Sequence, residues 1–140
     1  MAEQQNIEFI KSLYAAFGRG DIQALLNGLT ENVEWHSPGP PDEMPWSGDR
    51  RGRQQVGQFF QLLDQHLTFE HFEAANFFAQ GDHVVVLGSD GGKVKSNGRS
   101  WNVRWVHIHT INNGLVSKFE ELFDTAKFLA VFKGSGPGKG

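Results

Sequence analysis

Residues 100–124, SWNVRWVHIHTINNGLVSKFEELFD, decide the fold. They read as two strands joined by a tight turn at Asn112-Asn113-Gly114, because Asn and Gly accept the positive φ values that a short hairpin turn demands. Side chains alternate faces along a strand. Val103, Trp105, His107, His109 and Ile111 therefore share one face, with Arg104, Val106, Ile108 and Thr110 on the other. On the returning strand Phe119, Glu121 and Phe123 form one set. Trp105, His107, His109, Phe119 and Glu121 thus make a face that is half aromatic and half ionisable. Such a face suits the floor of a pocket better than a dry core or a solvated surface.

Working outward, the chain before this hairpin supplies helices and more strands. Ile7, Ile10, Leu13, Tyr14 and Phe17 recur at helical spacing between Asn6 and Arg19. Gly18 and Gly20 end that helix, and Asp21 is placed to cap a second one from Ile22 to Gly28. Asn32–Ser37 alternates as a short strand with Val33, Trp35 and Ser37 on one face. The fifteen residues from Pro38 to Gly52 hold four Pro and three Gly, so they are expected to be irregular, with Met44 and Trp46 packing over something. Arg50, Arg51 and Arg53 there read as a solvated turn. Val56, Phe59, Phe60 and Leu63 define a third helix from Arg53 to Gln65. Strands are expected over Thr68–Ala79 and His83–Ser89, with Asp90-Gly91-Gly92 as a turn. Thr125–Phe132 is a last helix capped by Asp124. The order predicts an α+β domain with segregated helices on a mainly antiparallel sheet, spanning 1–132, and a flexible tail at 133–140.

With 140 residues, 39% hydrophobic and 21% charged, one domain with a real core is expected. A net charge of −3 and no Lys/Arg stripe give no electrostatic basis for nucleic-acid binding. The absence of Cys excludes disulfides, thiolate nucleophiles and Cys-based metal sites. The N-terminus has no basic region followed by an apolar run, and no stretch approaches the roughly 18 apolar residues of a membrane span. No membrane association and a cytoplasmic location are the expectation. Phe 12 and Trp 4 against Tyr 1 make a large but dry aromatic inventory.

Three segments carry a resemblance: YAAFGRGDIQALLNGLTENVEWHSPG, PWSGDRRGRQQVGQFF and WVHIHTINNGLVSKFEELFDTAKFLAVF. In order and spacing, over residues 6–132, they resemble the nuclear transport factor 2-like superfamily. Within it they are most similar to the SnoaL-like, ketosteroid isomerase-related group. The resemblance implies a cone-shaped curved sheet wrapped around three to four helices, a deep apolar pocket, and a homodimer formed through the convex face of the sheet. It does not fix function, because the fold hosts isomerases, cyclases, epoxide hydrolases and non-catalytic modules.

Ketosteroid isomerases use a Tyr on the first helix, an Asp base before a Pro on the first strand, and a protonated Asp on a late strand. Counted back from Gly20-Asp21, the Tyr position falls on Leu13, leaving Tyr14 as a neighbour expected to be rotated away from it. The base position falls on Ser37, and the late Asp at or next to His107. SnoaL-like cyclases are closer, with a His on the penultimate strand and an acid on the last; His107 and Glu121 occupy comparable places. The Asp-Arg-Asp set of limonene epoxide hydrolases could be matched by Glu121 and Asp90, without the Arg.

His107 and Glu121 are accordingly the expected catalytic pair. A Glu in an apolar cavity beside a His can run general acid–base chemistry on a carbon acid or an activated water. Tyr14, Trp35, Ser37, Trp46, Phe59, Trp105, His109 and Phe119 are expected to shape the substrate pocket, with aromatic walls suited to a small apolar ligand. His107-x-His109 with Glu121 would also number three metal ligands, but metal sites are uncommon in the superfamily and none is expected. No phosphate-binding glycine motif is present, so no cofactor is expected either. Two rival functions stand beside the enzyme (isomerase, cyclase or hydratase/hydrolase type): a carrier of apolar ligands and a dimeric assembly module.

Overall fold

The structure, a computed structural model, describes residues 2–134. Its elements follow in chain order as α1 (Ala2–Gly18), α2 (Ile22–Asn27), β1 (Leu29–Ser37), β2 (Gly48–Arg51), α3 (Arg53–His66), β3 (Leu67–Gln80), β4 (His83–Val94), β5 (Ser100–Asn112), β6 (Leu115–Phe123) and α4 (Thr125–Phe132). The strands form one curved, unclosed sheet in the order β2-β1-β6-β5-β4-β3. Only β1 and β6 run parallel; every other neighbouring pair is antiparallel. The α+β class read from the sequence holds.

The hairpin forms as its turn chemistry requires. Asn113 at φ 54° and Gly114 at φ 78° make a two-residue connection in the left-handed region, and β5 pairs with β6 in the register His107↔Glu121 and His109↔Phe119. Along β5, Trp101, Val103, Trp105, His107, His109 and Ile111 are buried, and the residues between them are more exposed. The parallel β1 then aligns Trp35 with Phe119. Ile10 and Leu13 of α1, Leu25 of α2, and Val56 and Phe59 of α3 meet this face in one core. Asp21 accepts from the Ala24 N–H at 3.1 Å and Asp124 from that of Lys127 at 3.0 Å, so both caps form as expected.

Three expectations are corrected. Pro38–Gly52 is not irregular throughout, since Gly48–Arg51 pairs antiparallel with β1; hydrogen bonds available along the β1 edge outweigh the weak strand propensity of the segment. The arginines beside it are not simply solvated: the Arg53 guanidinium donates twice to the Leu29 carbonyl, at 2.6 and 2.9 Å, and Arg50 reaches the Pro45 carbonyl at 3.3 Å. The third correction concerns Asp90-Gly91-Gly92, which makes no turn. These residues sit inside β4, paired with β3 on one side and β5 on the other. Their glycines mark close approach: a Cβ at Gly92 would lie 1.9 Å from the Thr68 carbonyl oxygen. The chain reverses later, where Gly98 has φ 72°.

Met44 and Trp46 do pack inward, at 0% and 3% exposure. Trp46 meets Phe128 and Phe132 of α4 edge-on and tilts against His66. Lys133 pairs with Glu43 outside this contact. Among the described residues no helix is long and apolar enough to cross a membrane.

Candidate active site

Five polar side chains from four elements converge on the inner face of the sheet. Cross-strand pairing places His107 Nε2 3.0 Å from Glu121 Oε2. Ser37, two residues past Trp35 on β1, donates its hydroxyl to Glu121 Oε1 at 3.3 Å. From α1, the Tyr14 hydroxyl lies 2.7 Å from His107 Nδ1 and 2.9 Å from His109 Nε2. Tyr14 is therefore not rotated away: one step of helix beyond Leu13 turns its ring onto the two histidines, parallel to His107 and perpendicular to His109.

With His107 neutral, one proton arrangement satisfies every contact. An ionised Glu121 only accepts, so His107 presents Nε2–H to it and keeps a lone pair at Nδ1. Tyr14 then donates its O–H to that lone pair, and its oxygen accepts Nε2–H from His109. Burial, reinforced by the negative charge of Glu121, raises the Tyr14 pKa well above 10 and keeps it a phenol. Burial and the neighbouring His107 lower the His109 pKa to about 3, which keeps that ring neutral. Its Nδ1 is buried without a hydrogen-bond partner. The relay runs from His109 through Tyr14 and His107 to Glu121.

Tyr14, His107, His109 and Glu121 border a cavity of about 110 Å³ whose wall is otherwise almost wholly apolar. Trp35, Trp46, Phe59 and Phe119 line it. Trp35 stacks on Phe119 at 4.0 Å and meets Phe59 edge-on. Two expected wall residues stand behind it. Ser37 acts only through Glu121, and Trp105 is a buried slab stacked 3.8 Å from His107 and 5.2 Å from Phe72. Among the described residues no group of three or more His, Asp or Glu side chains is placed to hold a metal ion.

Asp90, read from the sequence as a turn residue and a partial match to the epoxide hydrolase acids, also lines the cavity. It accepts from the Trp101 indole N–H at 2.8 Å. Desolvation raises its pKa from 3.8 to about 7 against the pull of the Trp101 hydrogen bond; the Glu121 charge adds to the rise, and the nearby Trp105 indole opposes it. Among the described residues that Trp105 N–H makes no hydrogen bond of ordinary length. The signal in the sequence was the alternation Val84, Val86, Gly88, Asp90, which carries on inward once the following glycines are read as strand.

Residues 10–119 match the family described as SnoaL-like domain. The chain belongs to that family. Solved structures agree with this placement of the SnoaL-like domain. A nuclear transport factor 2-like protein from Burkholderia xenovorans is 32% identical, with 93% of this chain and 97% of that one covered and a TM-score of 0.83. One of unknown function from Burkholderia pseudomallei is 28% identical, with 91% and 96% covered and a TM-score of 0.84. TerC, co-crystallised with polyporic acid, is 28% identical, with 91% and 98% covered and a TM-score of 0.82. No curated protein matches the chain.

Proposed function

We propose that this SnoaL-like domain is an enzyme that binds a small, mostly apolar cyclic molecule and moves a proton on it by general acid–base catalysis. The observation that carries this reading is the hydrogen-bonded chain Tyr14–His107–Glu121–Ser37 at the wall of an otherwise apolar cavity. Glu121 is the base. His107 holds one of its oxygens, Ser37 the other, and Tyr14 fixes the His107 ring and its tautomer. A carboxylate held in this way in a largely apolar cavity is oriented toward a bound carbon acid or hydroxyl. Each proton of the step has a side chain to carry it, so the chemistry proposed is isomerisation, cyclisation or hydration on side chains alone.

The cavity volume bears on the ligand. A cavity of roughly 150 Å³ takes one benzene ring, so at about 110 Å³ this cavity takes a single small ring once its aromatic wall yields slightly. Binding of polyporic acid by TerC supports an organic ring compound as the class of ligand.

Native mass spectrometry of the purified protein, followed by denaturation, tests the reading by releasing any co-purified compound. The released compound, returned to fresh protein, is expected to be converted by the wild type and not by Glu121→Gln, with affinity kept within a few-fold. A ligand bound equally by both proteins and converted by neither would make the protein a carrier instead.

A further inference from the structure

The charges around the cavity do not balance. Among the described residues that line it none is Lys or Arg, and the titratable ones are Tyr14, Asp90, His107, His109 and Glu121. Tyr14 stays a phenol and His109 a neutral ring. Burial keeps Asp90 largely protonated below about pH 7. The hydrogen bonds make His107 neutral as well. As a cation it would donate from both nitrogens, to Glu121 and to the Tyr14 oxygen. Tyr14 would then donate to His109 Nε2, and the His109 proton would sit on the partnerless Nδ1. A buried N–H without an acceptor is rarer in folded proteins than an acceptor with a spare lone pair. Glu121 is left as the full charge of the cavity, with its side chain only 15% exposed.

A buried carboxylate without a counter-charge is costly, and folded proteins pair such groups. Among the described residues lining the cavity no side chain supplies that counter-charge. Two of the roughly four lone-pair positions of the carboxylate go to His107 and Ser37. More than half of the described wall residues are aromatic, among them Trp35, Phe60, Phe72 and Trp101. Aromatic rings attract cations through the negative faces of their π systems. A carboxylate with positions to spare inside an aromatic wall is suited to an organic cation.

We infer that the ligand of this cavity is a small cyclic nitrogen compound bound as its cation, a ring ammonium or iminium, with its positive charge set against the Glu121 carboxylate. This rests on Glu121 being the ionised base of the site. An anion would meet Glu121 with nothing to offset it, and a neutral ring would leave the carboxylate as unpaired as before. A charged ligand also simplifies the chemistry. In a ring iminium the positive nitrogen acidifies the C–H next to the C=N carbon, so the step needs a base and no separate acid. Glu121 takes that proton, the C–H pair becomes a C=C bond, and the C=N π pair becomes the nitrogen lone pair. The products are a neutral enamine and a Glu121 carboxylic acid. Return of the proton to the same carbon gives exchange, and delivery to a conjugated carbon gives isomerisation. Either one restores the iminium and the carboxylate.

Calorimetry on the full chain at pH 6 compares piperidine, which is protonated there, with tetrahydropyran, its uncharged analogue of the same ring size. The wild type is expected to bind piperidinium at least about tenfold more tightly. Glu121→Gln is expected to bind the two within about threefold of each other. Glu121→Asp, which keeps the charge, is expected to retain a preference for the cation, and this separates a lost charge from a lost fold. The compound 2-methyl-1-pyrroline, bound as its iminium, then reports the proton step through deuterium uptake from D2O at the carbons beside C=N. Uptake faster than in buffer is expected in the wild type and not in Glu121→Gln. Equal or tighter binding of tetrahydropyran by the wild type would overturn the inference, as would a cation preference that survives in Glu121→Gln. Failure of both rings to bind would overturn the ligand class. Binding of piperidinium that depends on Glu121, without faster uptake, would leave the cation site standing and overturn Glu121 as the base.

Discussion

Tyr14 is the residue on which both histidines depend. Among the described residues its hydroxyl is the one hydrogen-bond partner of His109 Nε2 and of His107 Nδ1, so Tyr14→Phe leaves two buried ring nitrogens unpaired. A cost of about 1–3 kcal/mol is expected in chemical denaturation, the range for orphaned buried polar groups. Two other residues oppose each other in pH dependence. Asp90, raised from 3.8 to about 7, contributes stability that is full below 3.8 and lost as pH rises through 7. His109, lowered from 6.5 to about 3, contributes stability that is full above 6.5 and lost as pH falls through 3. Each effect is on the order of 4 kcal/mol, and they cancel over most of the window between the two. The wild type should therefore show a nearly flat stability between about pH 4 and 6.5. Asp90→Asn should show stability rising with pH across that window, read from urea midpoints; a flat profile in the variant would refute the opposition. Of these residues, His107 and Glu121 were legible because period two and a two-residue turn together fix which side chains oppose. Tyr14 was read as a pocket residue but not as the partner of both histidines, since one residue of helix turns a side chain by about 100° and only the packing of α1 on the sheet sets where it lands. Asp90 was hidden by its own neighbours, as Asp-Gly-Gly has the composition of a turn.

At the scale of elements, β4 is where the site is given room. A Cβ at Gly88 would lie 2.3 Å from the Glu73 carbonyl oxygen and 2.3 Å from the Trp105 indole. Gly88 thus lets Trp105 lie across β4, and Trp105 in turn backs His107. Gly88→Ala must move either a backbone or the slab behind the histidine, and a loss of about 3 kcal/mol is expected, at the upper end for an overpacked core. Thermal unfolding would show it, and a change under 0.5 kcal/mol would mean that Trp105 has space to retreat. The hairpin turn was readable for the opposite reason. Asn113-Gly114 states its conformation in residue types alone, whereas the buried glycines of β4 answer to atoms of β3 and β5 that no local pattern reveals. The same holds for β2, a strand made by the waiting edge of β1 rather than by its own sequence Gly48–Arg51.

At the scale of the molecule, the curved sheet and the helices on its inner face enclose a cavity bordered by titratable groups from α1, β4, β5 and β6. Trp46 closes part of its wall by packing on α4. Trp46→Ala is expected to cost about 3–5 kcal/mol as a large-to-small core change and to admit larger apolar ring compounds, measurable as a shift in ligand size preference by calorimetry. The fold was legible because the order of helices, turns and alternating strands is a whole-chain property; the size of the cavity was not, because it is the small remainder left by many large side chains. The most direct measurement is the rate at which a bound cyclic carbon acid takes up deuterium from D2O in wild type and in Glu121→Gln. Uptake by the wild type with a loss of at least about a hundredfold in the variant, at comparable affinity, is the expected result. Equal rates in the two proteins would contradict Glu121 as the base.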